Sequence, residues 1–234
     1  MMKRLGAKLA GLVVLVLVLA GPAGAEEARQ YLPAGSVDVA QLIGPPPTPD
    51  SLEFQKEMAV VLWLQRTRTP AQVAFVEETL DLGRFVPLID NELVGADGIE
   101  LSRTLDDVIT EVRAEYDALK GEFGQPRPFE VSDEVHPVGE ARPVAAYPSG
   151  HAIRATVYAR LLSDIFPEHS AALMDLAKRI GYGRVTAGVH FPSDIVAGFA
   201  VGNAYADEIV TQPAFHQAVE RIYGRQPPLR ASSD

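Results

Sequence analysis

Three short clusters hold the side chains of this sequence that could act together in catalysis. The first, "KGEFGQPRP" (120–128), has a lysine and an arginine around a glycine-proline loop. The second, "PSGH" (148–151), puts a serine, a glycine and a histidine behind a proline at a predicted helix start. The third, "GRVTAGVHFPSD" (183–194), has an arginine, a second histidine and an aspartate. The candidate site residues are Lys120, Arg127, Ser149, Gly150, His151, Arg184, His190 and Asp194.

These residue types match the requirements of phosphoryl transfer without a metal ion. The charge of the transferred group is spread over three oxygens, which guanidinium and ammonium groups can hold. Free backbone N–H groups at the helix start behind Pro148 would add to this anion cradle. One histidine can attack phosphorus while the other protonates the departing alkoxide, and a carboxylate can orient the attacking ring. The residue types alone do not say which histidine attacks.

Each cluster taken singly also has a structural interpretation. "PSGH" could be an ordinary capped helix start with a surface histidine, and Arg184 could form an ion pair with Asp194. Lys120 could be a cation that interacts with the C-terminal end of a helix. The three clusters taken together favour the functional interpretation. We interpret the remaining histidines as surface or capping residues, of which the first lies in a loop that could border the pocket: His136, His169 and His216.

The composition is that of one globular domain preceded by an export signal. Of the 234 residues, 47% are hydrophobic and 22% are charged, an ordinary balance for a folded protein. Within residues 1–25, three basic residues precede an apolar run (9–20) and an Ala-Gly-Ala sequence (23–25), which predicts a cleavable secretory signal peptide. An uncleaved membrane anchor is the alternative, but the run is short for a membrane span, and Gly21 and Pro22 interrupt it.

Charge and cysteine content exclude several classes of protein. Signal-peptide cleavage would remove three positive charges and no negative ones, which moves the net charge from −10 to −13. Such a surface repels nucleic acid and anionic lipid, so we expect no nucleic-acid partner. No window after residue 25 is long and apolar enough to span a bilayer, so we expect no stable membrane insertion after signal cleavage. The sequence has no cysteine, which excludes disulfides, thiolate nucleophiles and cysteine-based zinc sites.

Beyond the leader, the sequence predicts an all-α fold, a compact helical bundle without strand alternation, repeats or a second domain. Capping signals at 50–51 and 69–70 predict two helices, which run through Leu64 and through Leu80. The proline-rich stretch before them is expected to lie extended over the bundle. The predicted organisation is a signal peptide at 1–25, an extended N-terminal segment at 26–48, the main domain at 49–225 and a tail at 226–234.

Four further helices are predicted around the clusters. A long helix with apolar residues at helical spacing should be ended by Gly121 and Gly124. Another should follow Ser149, and a third should run over about 168–180. The sequence after Pro192, "DIVAGFAVGNAYADEIV", is apolar enough to predict a central, buried helix. These helices must bring the three clusters together.

The three clusters resemble the pattern K-x6-R-P, P-S-G-H, S-R-x5-H-x3-D of the PAP2 superfamily, which includes bacterial class A non-specific acid phosphatases, lipid phosphatases and vanadium haloperoxidases. They stand in the family's order and at its spacings. The exported leader, "YLP" (31–33) and "GPPPTPD" (44–50) are also similar to the soluble class A enzymes. One position departs from the pattern. Gly183 stands where the family usually has serine, so the phosphate would lose one hydroxyl contact.

The resemblance implies a role for each candidate residue. His190 would be the nucleophile that forms a phosphohistidine, and Asp194 would orient it. His151 would be the general acid for the leaving group and then the base that activates water. The phosphate would be held by Lys120, Arg127, Arg184, Ser149 and the N–H of Gly150.

The resemblance therefore implies an exported, metal-independent acid phosphatase, periplasmic or secreted, that hydrolyses small phosphate monoesters without a cofactor. The alternatives are a soluble lipid-phosphate phosphatase, a vanadium haloperoxidase-like enzyme and a phosphate-binding module without catalysis. Two histidines argue against the last, because binding alone needs only cations and N–H groups. The apolar helices of an exported domain are also compatible with a homodimer.

Overall fold

The computed structural model describes residues 29–89 and 96–224, so the predicted signal peptide (1–25) and tail (226–234) lie outside the described residues. Over the described residues the regular structure is helical and contains no strand, which confirms the predicted all-α fold. None of these helices is long and apolar enough to cross a bilayer. The α-helices are α1 (Val39–Ile43), α2 (Leu52–Thr67), α3 (Pro70–Glu77), α4 (Ala96–Phe123), α5 (Pro128–Val131), α6 (Gly150–Ile165), α7 (Ser170–Thr186), α8 (Pro192–Ile209) and α9 (Pro213–Tyr223), with short 3₁₀ turns at Leu82–Arg84, Val86–Leu88 and Pro167–His169.

The central helix of the bundle is α6. Every residue of α6 other than His151 is buried, and α4, α7 and α8 all pack against it. The prediction that α8 would be the central buried helix is wrong, because α8 buries only one face and Val196 on the other face is 58% exposed. Apolar composition misleads here, since several of the small residues of α8 serve close helix packing instead of filling a core.

Two glycines of α8 allow it to approach the first turns of α6. A Cβ at Gly198 would lie 2.7 Å from the Cβ of Ala152 and 2.8 Å from the carbonyl oxygen of Ser149. A Cβ at Gly202 would lie 2.7 Å from the carbonyl oxygen of Ile153. Atoms without a covalent bond do not approach so closely. Glycine at these two positions therefore sets the spacing between the two helices that carry the second and third clusters.

The predicted capping residues are present at the starts of α2 and α3. The Ser51 side chain accepts a hydrogen bond from the third residue of its helix, and Thr69 forms a capping box with Gln72. The end of α3 differs from the prediction: the helix stops at Glu77, before Leu80. Leu80 follows the helix, and its side chain is buried in the core. The apolar pattern of the sequence therefore extends beyond the end of the helix.

Glycines mark helix ends less well than the sequence predicted. α4 continues through Gly121 and ends before Gly124, whose φ of +59° is the left-handed value typical of a helix C-terminus. α7 was predicted to end near residue 180, but it passes through Gly181 and Gly183 to Thr186. A Cβ at Gly181 would lie 2.7 Å from the ring of a phenylalanine on α8. Glycine is needed there for packing and does not terminate the helix.

The N-terminal segment is held on α4. The carboxylate of Glu111 accepts hydrogen bonds from the backbone N–H groups of residues 30, 31 and 32, at 2.9, 2.9 and 2.8 Å, and the side chains of Tyr31 and Leu32 are buried. The expectation of extended structure throughout 26–48 is wrong for Val39–Ile43, which forms α1 and packs against α8. Its N-cap, Asp38, accepts the N–H of Gln41, a local capping signal that apolar periodicity did not reveal.

Candidate active site

The three sequence clusters meet at a cleft of about 470 Å³. Six of the eight candidate residues line it: Lys120, Arg127, Gly150, His151, Arg184 and His190. Ser149 and Asp194 do not line the cleft and are fully buried. His136, His169 and His216 do not line it either.

Helix termini position these side chains. Lys120 and Arg184 lie in the last turns of α4 and α7. His151 and Asp194 lie in the first turns of α6 and α8, as the sequence predicted from the prolines and the serine before them. His190 lies just ahead of α8. The N-terminus of α6, whose Gly150 and His151 line the cleft, therefore faces it, and its partial positive charge favours an anion there.

His190 is held in one orientation by hydrogen bonds on both ring nitrogens. Nδ1 lies 2.9 Å from Oδ2 of Asp194, which also accepts the backbone N–H of Phe191 at 2.8 Å. Nε2 lies 3.3 Å from Nη1 of Arg127. A guanidinium can only donate, so Nε2 must accept and the proton of the neutral ring lies on Nδ1. The lone pair of Nε2 consequently faces the Arg127 guanidinium, and both residues line the cleft.

The three predicted cations lack carboxylate partners. The Lys120 ammonium donates to the carbonyl oxygen of Ala145 at 2.9 Å. Arg127 donates to the carbonyl oxygens of Val144 and Val189, each at 2.8 Å. None of the cations lies within ion-pair distance of a carboxylate of the described residues.

Arg184, the third cation, also binds backbone carbonyl groups. It donates to the carbonyl oxygens of Val76 and Glu140 at 3.2 and 3.3 Å, and its buried Nε has no partner among the described residues. Charges that are buried without a counter-ion are costly, and an anion in the cleft would relieve that cost.

Burial and repulsion between the positive charges shift the pKa values of the residues at the cleft. Burial, reinforced by Arg127, lowers the pKa of Lys120 to about 8 and that of Arg184 to about 10. Burial and the surrounding cations hold the pKa of His151 and of His190 well below the usual histidine range. Complete burial raises the pKa of Asp194 above its ordinary value. An anion bound among these cations would offset their repulsion and raise the pKa of both imidazoles.

Within the "PSGH" cluster, Gly150 and His151 line the cleft, whereas Ser149 caps α6. The Ser149 hydroxyl accepts the N–H of Ala152 at 3.4 Å as the N-cap of α6, so its predicted phosphate contact is not visible in the cleft wall. The bond between Tyr147 and Pro148 is cis. A Cβ at Gly150 would lie 2.8 Å from the ring of Tyr116 on α4. Glycine at position 150 therefore allows α6 to approach α4 closely.

Gly183 does not line the cleft. A Cβ there would lie 2.9 Å from Cγ1 of Val76 on α3, and Gly183 lines a separate groove beside α3. The interpretation that a missing serine hydroxyl weakens the phosphate contacts is therefore wrong for this structure. A side chain at position 183 would pack against α3.

Sequence reasoning missed two residues next to the site. Glu57 on α2 is buried and accepts both the N–H and the hydroxyl of Ser193 at 2.8 Å, beside Asp194. Arg154 lines the cleft three residues after His151 on the same helix. That spacing was a usable signal for Arg154, whereas no local pattern marks Glu57. Within residues 29–89 and 96–224 there is no group of three or more metal-ligating side chains.

Comparison with known families agrees with this arrangement. Residues 104–217 match the PAP2 superfamily, a stretch that contains all three clusters. The chain therefore carries a PAP2 superfamily domain, as the clusters predicted.

Several curated phosphatases are similar to part of the chain. The non-specific acid phosphatase of Salmonella typhimurium is 35% identical over 77 residues, 33% of this chain and 31% of that protein. The acid phosphatase of Zymomonas mobilis is 28% identical over 99 residues, 39% and 38% of the two chains. The lipid A 1-phosphatase of Rhizobium etli is 29% identical over 92 residues, 38% and 40% of the two chains. The matched region thus spans less than half the length of each relative.

A solved structure shares the fold. The transmembrane PAP2 type phosphatidylglycerolphosphate phosphatase of Bacillus subtilis superposes with a TM-score of 0.50, over 68% of this chain and 86% of that one. At 19% identity the similarity concerns the arrangement of the helices alone.

Proposed function

We propose that this protein is an exported, metal-independent acid phosphatase that hydrolyses phosphate monoesters through a phosphohistidine on His190. The observation that carries the proposal is the environment of His190. Its Nδ1 is bound to Asp194 at 2.9 Å, and its Nε2 lies at a cleft lined by cations without carboxylate partners. The PAP2 domain and the acid phosphatases among the partial relatives support it.

In the first step, the Nε2 lone pair of His190 attacks phosphorus and the ester P–O bond breaks. The leaving alkoxide takes a proton from His151, and Asp194 stabilises the positive charge that develops on the His190 ring. In the second step, His151 removes a proton from water, which attacks the phosphohistidine and releases phosphate. His190 returns to its neutral form, so atoms and charges balance over the cycle.

The cations have to exchange partners when substrate binds. Arg127 donates to Nε2 of His190 at 3.3 Å, where the phosphorus would approach. A phosphoryl oxygen can take over that donor, since it offers a charged acceptor. Lys120 and Arg184 then complete the clamp around the equatorial oxygens. Neutralisation by the substrate also raises the pKa of His151, so the ring can carry the proton that the leaving group needs.

Phosphate release from p-nitrophenyl phosphate tests the proposal. We expect turnover in excess EDTA and competition by vanadate, whose trigonal bipyramidal form resembles the transition state. If EDTA abolishes turnover and a divalent ion restores it, the histidine mechanism is wrong. Binding of phosphate without any turnover would instead identify a phosphate-binding module.

Export is proposed from the pattern of residues 1–25. Mass spectrometry of the protein recovered from cell fractions and medium should find a mature chain that begins at Glu26. A chain that keeps residues 1–25 in the membrane fraction would contradict this part of the proposal.

A second candidate substrate class is lipid phosphates. The partial similarity to a lipid A 1-phosphatase favours it. A lipid phosphate presented in detergent micelles, assayed beside butyl phosphate at equal concentration, separates the two classes. A kcat/KM higher for the lipid by more than about tenfold, 1.4 kcal/mol, would make lipid phosphates the favoured class.

A further inference from the structure

The phosphate cleft continues into a second basic region. A neighbouring cavity of about 390 Å³ is bordered by several of the same residues, among them His151, Arg154 and Arg184. Arg113 also borders both cavities. Arg113 and Arg154 are not part of the three clusters, and the proposed hydrolysis of a simple monoester does not use them. Two further arginines therefore face the space beside the phosphate position.

Arg154 is a buried cation without a counter-ion. The side chain is 7% exposed, and burial lowers its pKa. Its Nε donates to the carbonyl oxygen of Gly150 at 3.2 Å, and the guanidinium faces the hydroxyl of Tyr116. No carboxylate of the described residues lies within ion-pair distance. A guanidinium in such a setting binds an anion favourably when one can reach it.

Arg113 on α4 adds a second cation to the lining of both cavities. It is exposed and forms no hydrogen bond or ion pair with the described residues. Four carboxylates line the two cavities, Glu77, Glu78, Asp117 and Glu140. Of these, Glu78 pairs with Arg84 at 3.0 Å, and Glu140 pairs with Arg142. In a chain of net charge −10, cations still outnumber carboxylates among the residues that line the two cavities, by six to four.

Along their helices, Arg113 lies farther from the cluster residues than Arg154 does. Arg113 is seven residues before Lys120 on α4, which corresponds to about 10 Å along the helix axis. Arg154 is three residues after His151 on α6, about 4.5 Å along its axis. Because Arg113 and Arg154 line both cavities together with cluster residues, an anion joined by a short chain to one held by the cluster cations would meet them.

We propose that Arg113 and Arg154 form a subsite for a second anionic group of the substrate, a phosphate or a carboxylate several atoms away from the ester that is cleaved. This inference rests on the proposed function, because it takes the first anion to be the reacting phosphoryl group. The preferred substrates are then phosphate monoesters that carry another phosphate or carboxylate.

Calorimetric binding of non-hydrolysable phosphonates tests the subsite without turnover. The probes are butyl phosphonate and a butane bisphosphonate with one phosphonate at each end of the chain. We expect the bisphosphonate to bind at least about 10-fold more tightly at low salt, the effect of one charge-assisted hydrogen-bonded contact. The ratio of the two affinities should fall with added salt, since Arg113 is exposed.

Substitutions then distinguish a specific subsite from the general electrostatic attraction of a positively charged cleft. Arg113→Gln and Arg154→Gln should reduce the affinity ratio, whereas Arg103→Gln, on an exposed position of the same helix α4, should preserve it. If Arg154→Gln fails to fold, Arg113→Gln still decides. An equal affinity for both probes in the wild type, or a ratio that both variants leave unchanged, would overturn the subsite. Failure of the phosphatase proposal is distinct, because it appears as absent p-nitrophenyl phosphate turnover with the affinity ratio intact.

Discussion

The backbone N–H of Ser149 donates to the carbonyl oxygen of Asp194 at 3.0 Å. This hydrogen bond joins the start of α6 to the start of α8 directly. His151 and the His190–Asp194 pair are consequently held in one frame, although they come from separate clusters. The distance between the two histidines therefore depends on how closely the two helices pack.

Gly198→Ala should push the two helices apart. Its Cβ would lie 2.7 Å from that of Ala152 and 2.8 Å from the carbonyl oxygen of Ser149, so α8 must shift. Overpacking of this kind costs about 1–3 kcal/mol. We expect that loss of stability in denaturant unfolding. We also expect kcat to fall while the circular dichroism spectrum stays unchanged.

The matched control is Gly121→Ala on α4, where a Cβ meets nothing within 4 Å. This variant should gain about 0.5–1 kcal/mol, since alanine favours the helix interior over glycine. Unchanged stability and turnover in Gly198→Ala would mean that close packing at Gly198 is not needed.

Replacing Gly183 should not improve phosphate binding. The new side chain would meet Val76 at 2.9 Å and lie in the groove beside α3, so a hydroxyl there cannot contact the phosphate. Gly183→Ser and Gly183→Ala should therefore show the same inhibition constant for vanadate and a similar loss of stability. Tighter vanadate binding in the serine variant alone would show that the hydroxyl reaches the cleft.

Anion binding should take up protons at acid pH. Burial and neighbouring cations hold the pKa of His151 well below its usual value, and a bound anion raises it. Binding is therefore accompanied by proton uptake, and by linkage the affinity rises as the pH falls through the pKa that His151 has in the complex. Sulfate is a suitable probe because its own charge does not change in this range.

Calorimetry of sulfate binding in two buffers of different ionisation enthalpy measures the protons taken up. His151→Ala should reduce the uptake, whereas His136→Ala, at an exposed histidine away from the cleft, should preserve it. An affinity that is independent of pH would contradict the assigned electrostatics.

His151→Ala should affect esters according to their leaving groups. If His151 protonates the alkoxide, phosphorylation by butyl phosphate should slow by roughly 10²-fold to 10⁴-fold. p-Nitrophenyl phosphate should lose less in this step, because its phenolate departs without protonation. Single-turnover kinetics with both esters measure the difference, and equal losses would contradict the general-acid role.

The residues around the phosphate position were predictable because they come in short motifs at helix ends. The family resemblance implied that Asp194 orients His190, and the two side chains lie 2.9 Å apart. The serine before His151 predicted the start of α6. The central position of α6 was not predictable, since burial depends on which faces the neighbouring helices cover. Composition favoured α8 because its glycines and alanines count as apolar, whereas in the fold they provide close contact.

Contacts between distant parts of the chain were not predictable from local patterns. Glu57 lies 136 residues before Ser193 and binds it through two hydrogen bonds. The orientation of Gly183 likewise depends on α3 packing against α7, which no motif encodes. Arg154 was visible as a residue one turn beyond His151. Its lack of a carboxylate partner became apparent only in three dimensions.

The central claim is that His190 attacks phosphorus, and trapping of a labelled phosphoenzyme tests it most directly. The reaction with a ³²P-labelled ester is stopped in alkaline denaturant, because the N–P bond of phosphohistidine is hydrolysed in acid. We predict label on His190 in the wild type and in the control His136→Ala. We predict no phosphoenzyme and no turnover of any ester in His190→Ala. A labelled phosphoenzyme in His190→Ala, or label on another residue of the wild type, would contradict the account.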